Sequence, residues 1–339
     1  MEKHGGLVFV SRNATVDELK EVGKWVKKYE VDLEKYPNAA VDENDKLLYF
    51  IPAGAPGRDG KERAEIAQEY GDGIRFEAAN INSVGGVEKV AELCDDLYDE
   101  LAILLGNIDD PAYVEKMWKE TNGKFDMAVV GVAPGNACVT RDNMGCGVPQ
   151  LTAVSAVAKV ADKHNLTVCA DGGFRTFGDP NKAISSGAHV AMMGRQFAAT
   201  KESTAPYDLS LKGILSILRG KPRKIHYGMG SVKGLKEAEK RGAGSRYKGY
   251  TTIHGDDIPI PYIGEVKYLL LAYEAILKEF VINYSPYTSL EELRDNGVYF
   301  SIRKTPNNPK MTIEEYVNKF RKYVKDAKSE EVAKFLKSF

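Results

Sequence analysis

Apolar runs of four to seven residues alternate with amphipathic stretches through residues 1–200. The runs fall at 7–10, 47–53, 73–79, 101–107, 126–132, 166–171 and 189–194. Each is nearly continuously apolar, as expected of a strand covered on both faces. Helical spacing between them predicts helices at 15–29 and 60–70, a third ending near residue 98, and an alanine-rich helix after residue 150. Strand followed by helix, repeated, builds a parallel sheet. Seven such repeats are one short of a closed (β/α)8 barrel. Glycine or polar residues follow the strands: Gly54 to Gly57, Asn80, Gly106-Asn107, Asp171-Gly172-Gly173 and Gly194-Arg195. In a parallel arrangement these share the C-terminal rim, where barrels build active sites.

Past residue 200 the rhythm breaks. Residues 201–264, rich in Gly, Lys, Tyr and Pro, predict a long flap-like excursion. A helix at 265–280 resumes the outer ring, and the lysine-rich 312–339 predicts one or two surface helices. The expectation is a single barrel domain over 1–339.

Composition removes several classes of function. A net charge of −1 with both signs interspersed gives no basic face for nucleic acid. No apolar run approaches the roughly 20 residues that span a bilayer, and the N-terminal residues lack the pattern of a signal peptide. A cytoplasmic enzyme is the expectation. The four cysteines, Cys94, Cys138, Cys146 and Cys169, contain no Cys-x-x-Cys pair and are too sparse for a disulfide framework.

The chemistry concentrates in Val132-Ala133-Pro134-Gly135-Asn136-Ala137-Cys138-Val139-Thr140-Arg141, which runs on to Gln150 between a buried strand and a helix. Glycines on both sides and an arginine three residues on are surroundings that expose a thiol and lower its pKa. The residues alone also fit a small buried cysteine. Cys94, Cys146 and Cys169 read as structural. Asp171-Gly172-Gly173 ends a strand with a carboxylate suited to ribose hydroxyls and N–H groups suited to phosphate. Gly194-Arg195 is a second anion-friendly turn after the next strand, and His226-Tyr227-Gly228-Met229-Gly230-Ser231 offers a third set of donors. Of the histidines, His254 is the candidate site residue.

These motifs resemble the IMP dehydrogenase and GMP reductase family. The cysteine loop is similar to Gly-x-Gly-Pro-Gly-Ser-x-Cys-x-Thr-Arg with its Gly-x-Gly-x-Pro-Gln continuation; Ala-Asp-Gly-Gly, Met-x-Gly and Tyr-Gly-Met-Gly-Ser follow in order, over residue 5 to about 294. The resemblance implies a (β/α)8 barrel forming a homotetramer, and a purine nucleotide as substrate. It implies Cys138 as nucleophile toward purine C2, Thr140 positioning water, and Arg246 with Tyr247 activating it. Asn136, Asp171, Gly172, Gly173, Gly194, Arg195, Tyr227, Gly228, Met229, Gly230, His254 and Gly255 would surround the nucleotide. Glu77, Asn80, Gly131 and Gly145 would face the dinucleotide, and the Gly135 and Cys138 carbonyls a potassium ion.

The favoured activity is NAD-dependent oxidation of IMP to XMP, because Arg246-Tyr247 suits a water-activating step. The alternatives are an NADPH-dependent GMP reductase, which Glu77-Ala78-Ala79-Asn80 and His226-Tyr227 resemble, and a catalytically degenerate purine-nucleotide-binding protein. Several positions depart from the pattern. Ala133 replaces a glycine, Asn136 a phosphate-contacting serine, and His254 a glutamate at the purine edge, while Arg195 stands where a small residue is usual. The family's first strand has no counterpart, nor do its paired regulatory domains, whose place is taken by residues 30–45. The barrel is therefore expected without its first strand in this chain.

Overall fold

The predicted strand–helix rhythm is present in a computed structural model of the chain, which describes residues 5–37, 39–54, 60–78, 81, 86–241, 253–297 and 312–326. Helix α1 (Val16–Lys28) starts at a capping box. Thr15 accepts from the Glu18 N–H at 3.2 Å while the Glu18 carboxylate accepts from the Thr15 N–H at 2.8 Å. There follow β1 (Phe50–Gly54), α2 (Gly60–Tyr70), β2 (Gly73–Glu77), α3 (Glu88–Leu97), β3 (Ala102–Ile108), α4 (Pro111–Glu120) and β4 (Met127–Val130). After the cysteine loop and the short α5 (Thr140–Met144) come α6 (Gln150–Ala161), β5 (Thr167–Asp171), α7 (Gly178–Ser185) and β6 (Val190–Met192). The six strands form one parallel sheet in sequence order, β1 to β6.

Alternation along the strands sets two faces. Ile103, Leu105, Ala128, Val130 and Val168 turn outward into the main core, where Leu19, Ile66, Val90, Met117 and Val154 of the helices cover them. Burying each such side chain contributes about 1.5–3 kcal/mol. The residues between them, Leu104, Met127, Val129 and Cys169, turn inward and cluster with Phe50, Phe9, Val190 and Met192. Residues from both ends of the sheet thus meet in one interior cluster, so the sheet curls as a TIM barrel does. By the same alternation Gly73, Arg75 and Glu77 of β2 face inward.

The segment at 7–10, expected as the first strand, makes a single parallel bridge, Phe9 to Phe50. The Phe9 ring packs on Phe50 at 5.3 Å. It lies at the sheet's edge, where no second ladder regularises it.

The described parts of the excursion, 201–241 and 253–264, are more ordered than their composition suggests. After α8 (Arg195–Ala198), which precedes them, they carry α9 (Leu211–Leu218), β7 (Arg223–Tyr227), α10 (Val232–Lys240) and β8 (Asp257–Pro261). β7 and β8 pair antiparallel, Lys224 opposite Ile260 and His226 opposite Ile258. Pro259 and Pro261 hid β8 from pattern reading; in a two-stranded sheet a proline faces an edge and costs no ladder bond. Helix α11 (Val266–Tyr284) runs one turn beyond its predicted end, followed by α12 (Leu290–Asn296) and α13 (Ile313–Asp326). The tail is not purely a surface element. Val317 of α13 is fully buried in a second core with Ile260, Tyr268, Leu269 and Phe177. Among the described residues no helix is long and apolar enough to cross a membrane.

Candidate active site

A cavity of about 920 Å³ opens at the C-terminal ends of the strands, within the size range of small-molecule and cofactor sites. It is lined by the loops after β2, β4, β5 and β6 and by the segment after β7. Five separate stretches of sequence therefore meet at one rim.

Cys138 lies on the cavity, half-buried, with its Sγ 3.2 Å from the Thr140 hydroxyl. The loop is fixed on two sides. Ala137 O accepts from the Asp256 N–H at 2.9 Å and Val139 N–H donates to His254 O at 3.0 Å, so Cys138 and Gly255 form an antiparallel bridge. At its base, Gly131 has φ +141°, and a Cβ there would stand 2.6 Å from the Asp171 carbonyl. Ala133 adopts φ +50° although it carries a side chain, so the replacement of glycine leaves a strained left-handed residue beside the site.

Arg141 does not act on the thiol in the way its spacing suggested. Its Nε donates to Val132 O at 2.8 Å and its Nη2 to Val148 O, so it staples the two ends of the loop. The other cysteines divide. Burial pushes the Cys94 and Cys169 thiols up to about 12, consistent with packing roles, whereas Cys146, expected to be structural, is exposed.

Asp171, at the end of β5, is held by groups from across the barrel. Its Oδ2 accepts from Arg75 Nη2 and from Asn107 Nδ2, each at 2.8 Å. Asn107 Nδ2 also donates to the Gly131 carbonyl at 2.9 Å, which ties the ribose candidate to the base of the cysteine loop. Burial alone would lower the Arg75 pKa, but Glu77 and then Asp171 outweigh it and raise it, so the guanidinium is a permanent cation.

Asn136, Gly172, Gly173, Gly194, Arg195, Tyr227, Gly228, Met229, Gly230 and His254 also line the cavity. Gly255 does not line it; its contribution is the backbone bridge to Cys138. Gly172 and Gly173 both have φ +83°, and a Cβ on Gly173 would meet Pro134 at 3.1 Å. The Tyr227 to Gly230 turn is anchored by Ser231, whose Oγ accepts from the Gly234 N–H at 3.1 Å, capping α10, and donates to Asp257 at 2.8 Å.

On the opposite side, Glu77 and Gly131 line the cavity with Arg12 and Lys89. Glu77 Oε1 is 3.5 Å from Arg12 Nε, and Oε2 is 3.3 Å from Arg75 Nε. This wall of the cavity thus carries a carboxylate flanked by cations. Gly145 does not line the cavity; at φ +64° it caps the C-terminus of α5. The Gly135 carbonyl accepts the Cys138 N–H at 3.1 Å, which closes a turn within the loop. Asn80, Arg246 and Tyr247 lie outside the described residues.

Arg75 and Arg12 are cavity residues that pattern reading did not single out, and Asn107 and His226, named there only as part of a rim turn and a donor run, also line the cavity. Arg75 had a signal: a charge at an inward position in the middle of β2, two residues before Glu77 on the same face. His226 lies close enough to Arg195 that burial, and then the Arg195 charge, hold its imidazole below the ordinary histidine pKa.

The comparisons agree with this architecture. The IMP dehydrogenase / GMP reductase domain matches residues 1–308. Inosine-5'-monophosphate dehydrogenases of Staphylococcus aureus strains Mu50, USA300 and NCTC 8325 are each 29% identical over 282 residues, 79% of this chain and 53% of theirs. The chain thus spans about half the length of the curated relatives it matches. With a domain match over nearly its whole length, and the family's cysteine, aspartate and glycine motifs brought to one rim of a parallel barrel, this chain belongs to the IMP dehydrogenase / GMP reductase family.

Proposed function

We propose that the chain oxidises IMP to XMP with NAD+. The observation that carries this is the Cys138–Thr140 pair at 3.2 Å on the same cavity as the clamped Asp171 carboxylate. Asp171 would accept from the ribose hydroxyls. Gly173, Gly194, Arg195 and the Tyr227 to Gly230 turn would hold the phosphate, and Asn136 and His254 the remaining edge of the nucleotide. Attack of the Cys138 thiolate on purine C2 forms a carbon–sulfur bond, and departure of the C2 hydrogen with its electron pair leaves a covalent thioimidate. Glu77, Arg12 and Lys89 would hold NAD+, which when bound would supply the acceptor for that hydride. Water then adds at C2, its protons leaving to base, and the carbon–sulfur bond breaks to release XMP and the Cys138 thiolate. Thr140 positions that water, and the resemblance assigns its activation to Arg246 with Tyr247. A homotetramer in the cytoplasm completes the proposal, and sedimentation velocity tests the assembly.

GMP reduction is the second reading, favoured by His226 on the cavity wall. It would expel ammonia from GMP with hydride from NADPH through the same cysteine. Growth of NADH absorbance with IMP and NAD+, abolished by Cys138→Ala, supports the dehydrogenase. NADPH consumption with GMP and no turnover of IMP would replace it with the reductase.

A further inference from the structure

A guanidinium on the inner face of a barrel strand is costly unless it is paired. The Arg75 side chain is only 8% exposed, and both of its carboxylate partners, Asp171 and Glu77, line the cavity. Nη2 donates to Asp171 Oδ2 at 2.8 Å and to Asn107 Oδ1 at 3.2 Å, and Nη1 donates to Met192 Sδ at 3.1 Å. Nε stands 3.3 Å from Glu77 Oε2, an ion-pair distance without hydrogen-bond geometry. Among the described residues, every side-chain partner of Asp171 meets Oδ2. One oxygen is thereby fixed and the other presented.

We infer that Arg75 is a positioning residue shared by both halves of the cavity: it fixes the Asp171 carboxylate so that its second oxygen meets the nucleotide's ribose, and it holds Glu77 by charge on the dinucleotide side. The inference rests on the purine-nucleotide proposal above and adds to it the residue that orients the sugar-binding carboxylates. A filler of barrel volume would need packing only. A positioning residue must instead make recognition of the sugar depend on its charge and fork geometry.

The test compares binding of IMP with 2′,3′-dideoxy-IMP, and of GMP with 2′,3′-dideoxy-GMP, by isothermal titration calorimetry on the full chain. The wild type should prefer the ribonucleotide on the order of tenfold, the value of a charge-assisted hydrogen bond. Arg75→Met should lose that preference while keeping its affinity for the dideoxy form. Arg75→Lys should keep only part of it, since an ammonium cannot reproduce the fork. Asp171→Asn should lose the preference too, and the double variant nothing further, the signature of one shared interaction. A folded Arg75→Met with undiminished ribose preference overturns the inference. Should that variant fail to melt cooperatively, the lysine variant decides, and an unchanged preference there is equally fatal. A wild-type chain that binds neither pair defeats the purine-nucleotide proposal itself, and the Arg75 assignment falls with it.

Discussion

Cys138 and Thr140 sit two residues apart on a loop whose backbone is bridged to Gly255, so the 3.2 Å contact between thiol and hydroxyl is held by the fold rather than by the side chains alone. Removing the hydroxyl should slow turnover without loosening the loop. Thr140→Val is expected to lower kcat by on the order of tenfold or more while leaving the melting temperature unchanged, measured by steady-state kinetics and calorimetry. Cys146, exposed and off the cavity, is the control: Cys146→Ser should leave the rate unaltered. Ala133 is different in kind. At φ +50° it occupies backbone space that costs a residue with a Cβ about 1–2 kcal/mol. Ala133→Gly should therefore raise stability by about 0.5–1 kcal/mol in chemical denaturation, after the entropic penalty of glycine is subtracted; a loss of stability would show that the strain is relieved elsewhere.

At the scale of elements, β7 and β8 connect the cavity to the C-terminal core. Ile260 of β8 is buried against Tyr268 and Leu269 of α11, and Tyr227, the last residue of β7, begins the turn on the cavity wall. Ser231 joins the two, capping α10 and bonding Asp257 at the start of β8 while itself 1% exposed. Ser231→Ala loses both contacts and should cost about 1–2 kcal/mol. Because it frees the turn that would hold the phosphate, it should also raise the KM for the nucleotide more than it lowers kcat. A stability loss with an unchanged KM would separate the cap from the site.

Across the whole molecule, two partly buried histidines give stability a pH dependence. Burial first, then Arg294 beside His189 and Arg195 beside His226, holds both imidazoles below their ordinary pKa. In the unfolded chain they take up protons near about pH 6.5. As pH falls through that value the unfolded state is protonated first, and stability declines until the folded pKa values are passed. The melting temperature should accordingly drop more steeply between about pH 7 and pH 5.5 in the wild type than in His226→Asn.

Most of this architecture was legible in the chain. The continuous apolar runs marked all six strands of the parallel sheet, because burial on both faces leaves a strand little choice of residue. The cysteine loop, Asp171 and the glycine turns were legible because close backbone approach and charge leave signatures at fixed spacing. What was not legible depended on contacts between distant segments. Arg75 reads as a stray charge until β2 is set across the barrel from Asp171, 96 residues away. Arg141 reads as an activator until its guanidinium is found on Val132 and Val148. Pro259 and Pro261 hide a strand that needs only one paired edge.

The central claim is that Cys138 bonds to a purine at this cavity. Intact-mass analysis of the chain after incubation with IMP plus NAD+ and, separately, GMP plus NADPH tests it most directly. The expected result is a purine-nucleotide adduct with IMP plus NAD+, mapped to Cys138 by peptide digestion and absent from Cys138→Ala. No adduct in either mixture, from a folded chain with turnover in neither, would contradict it.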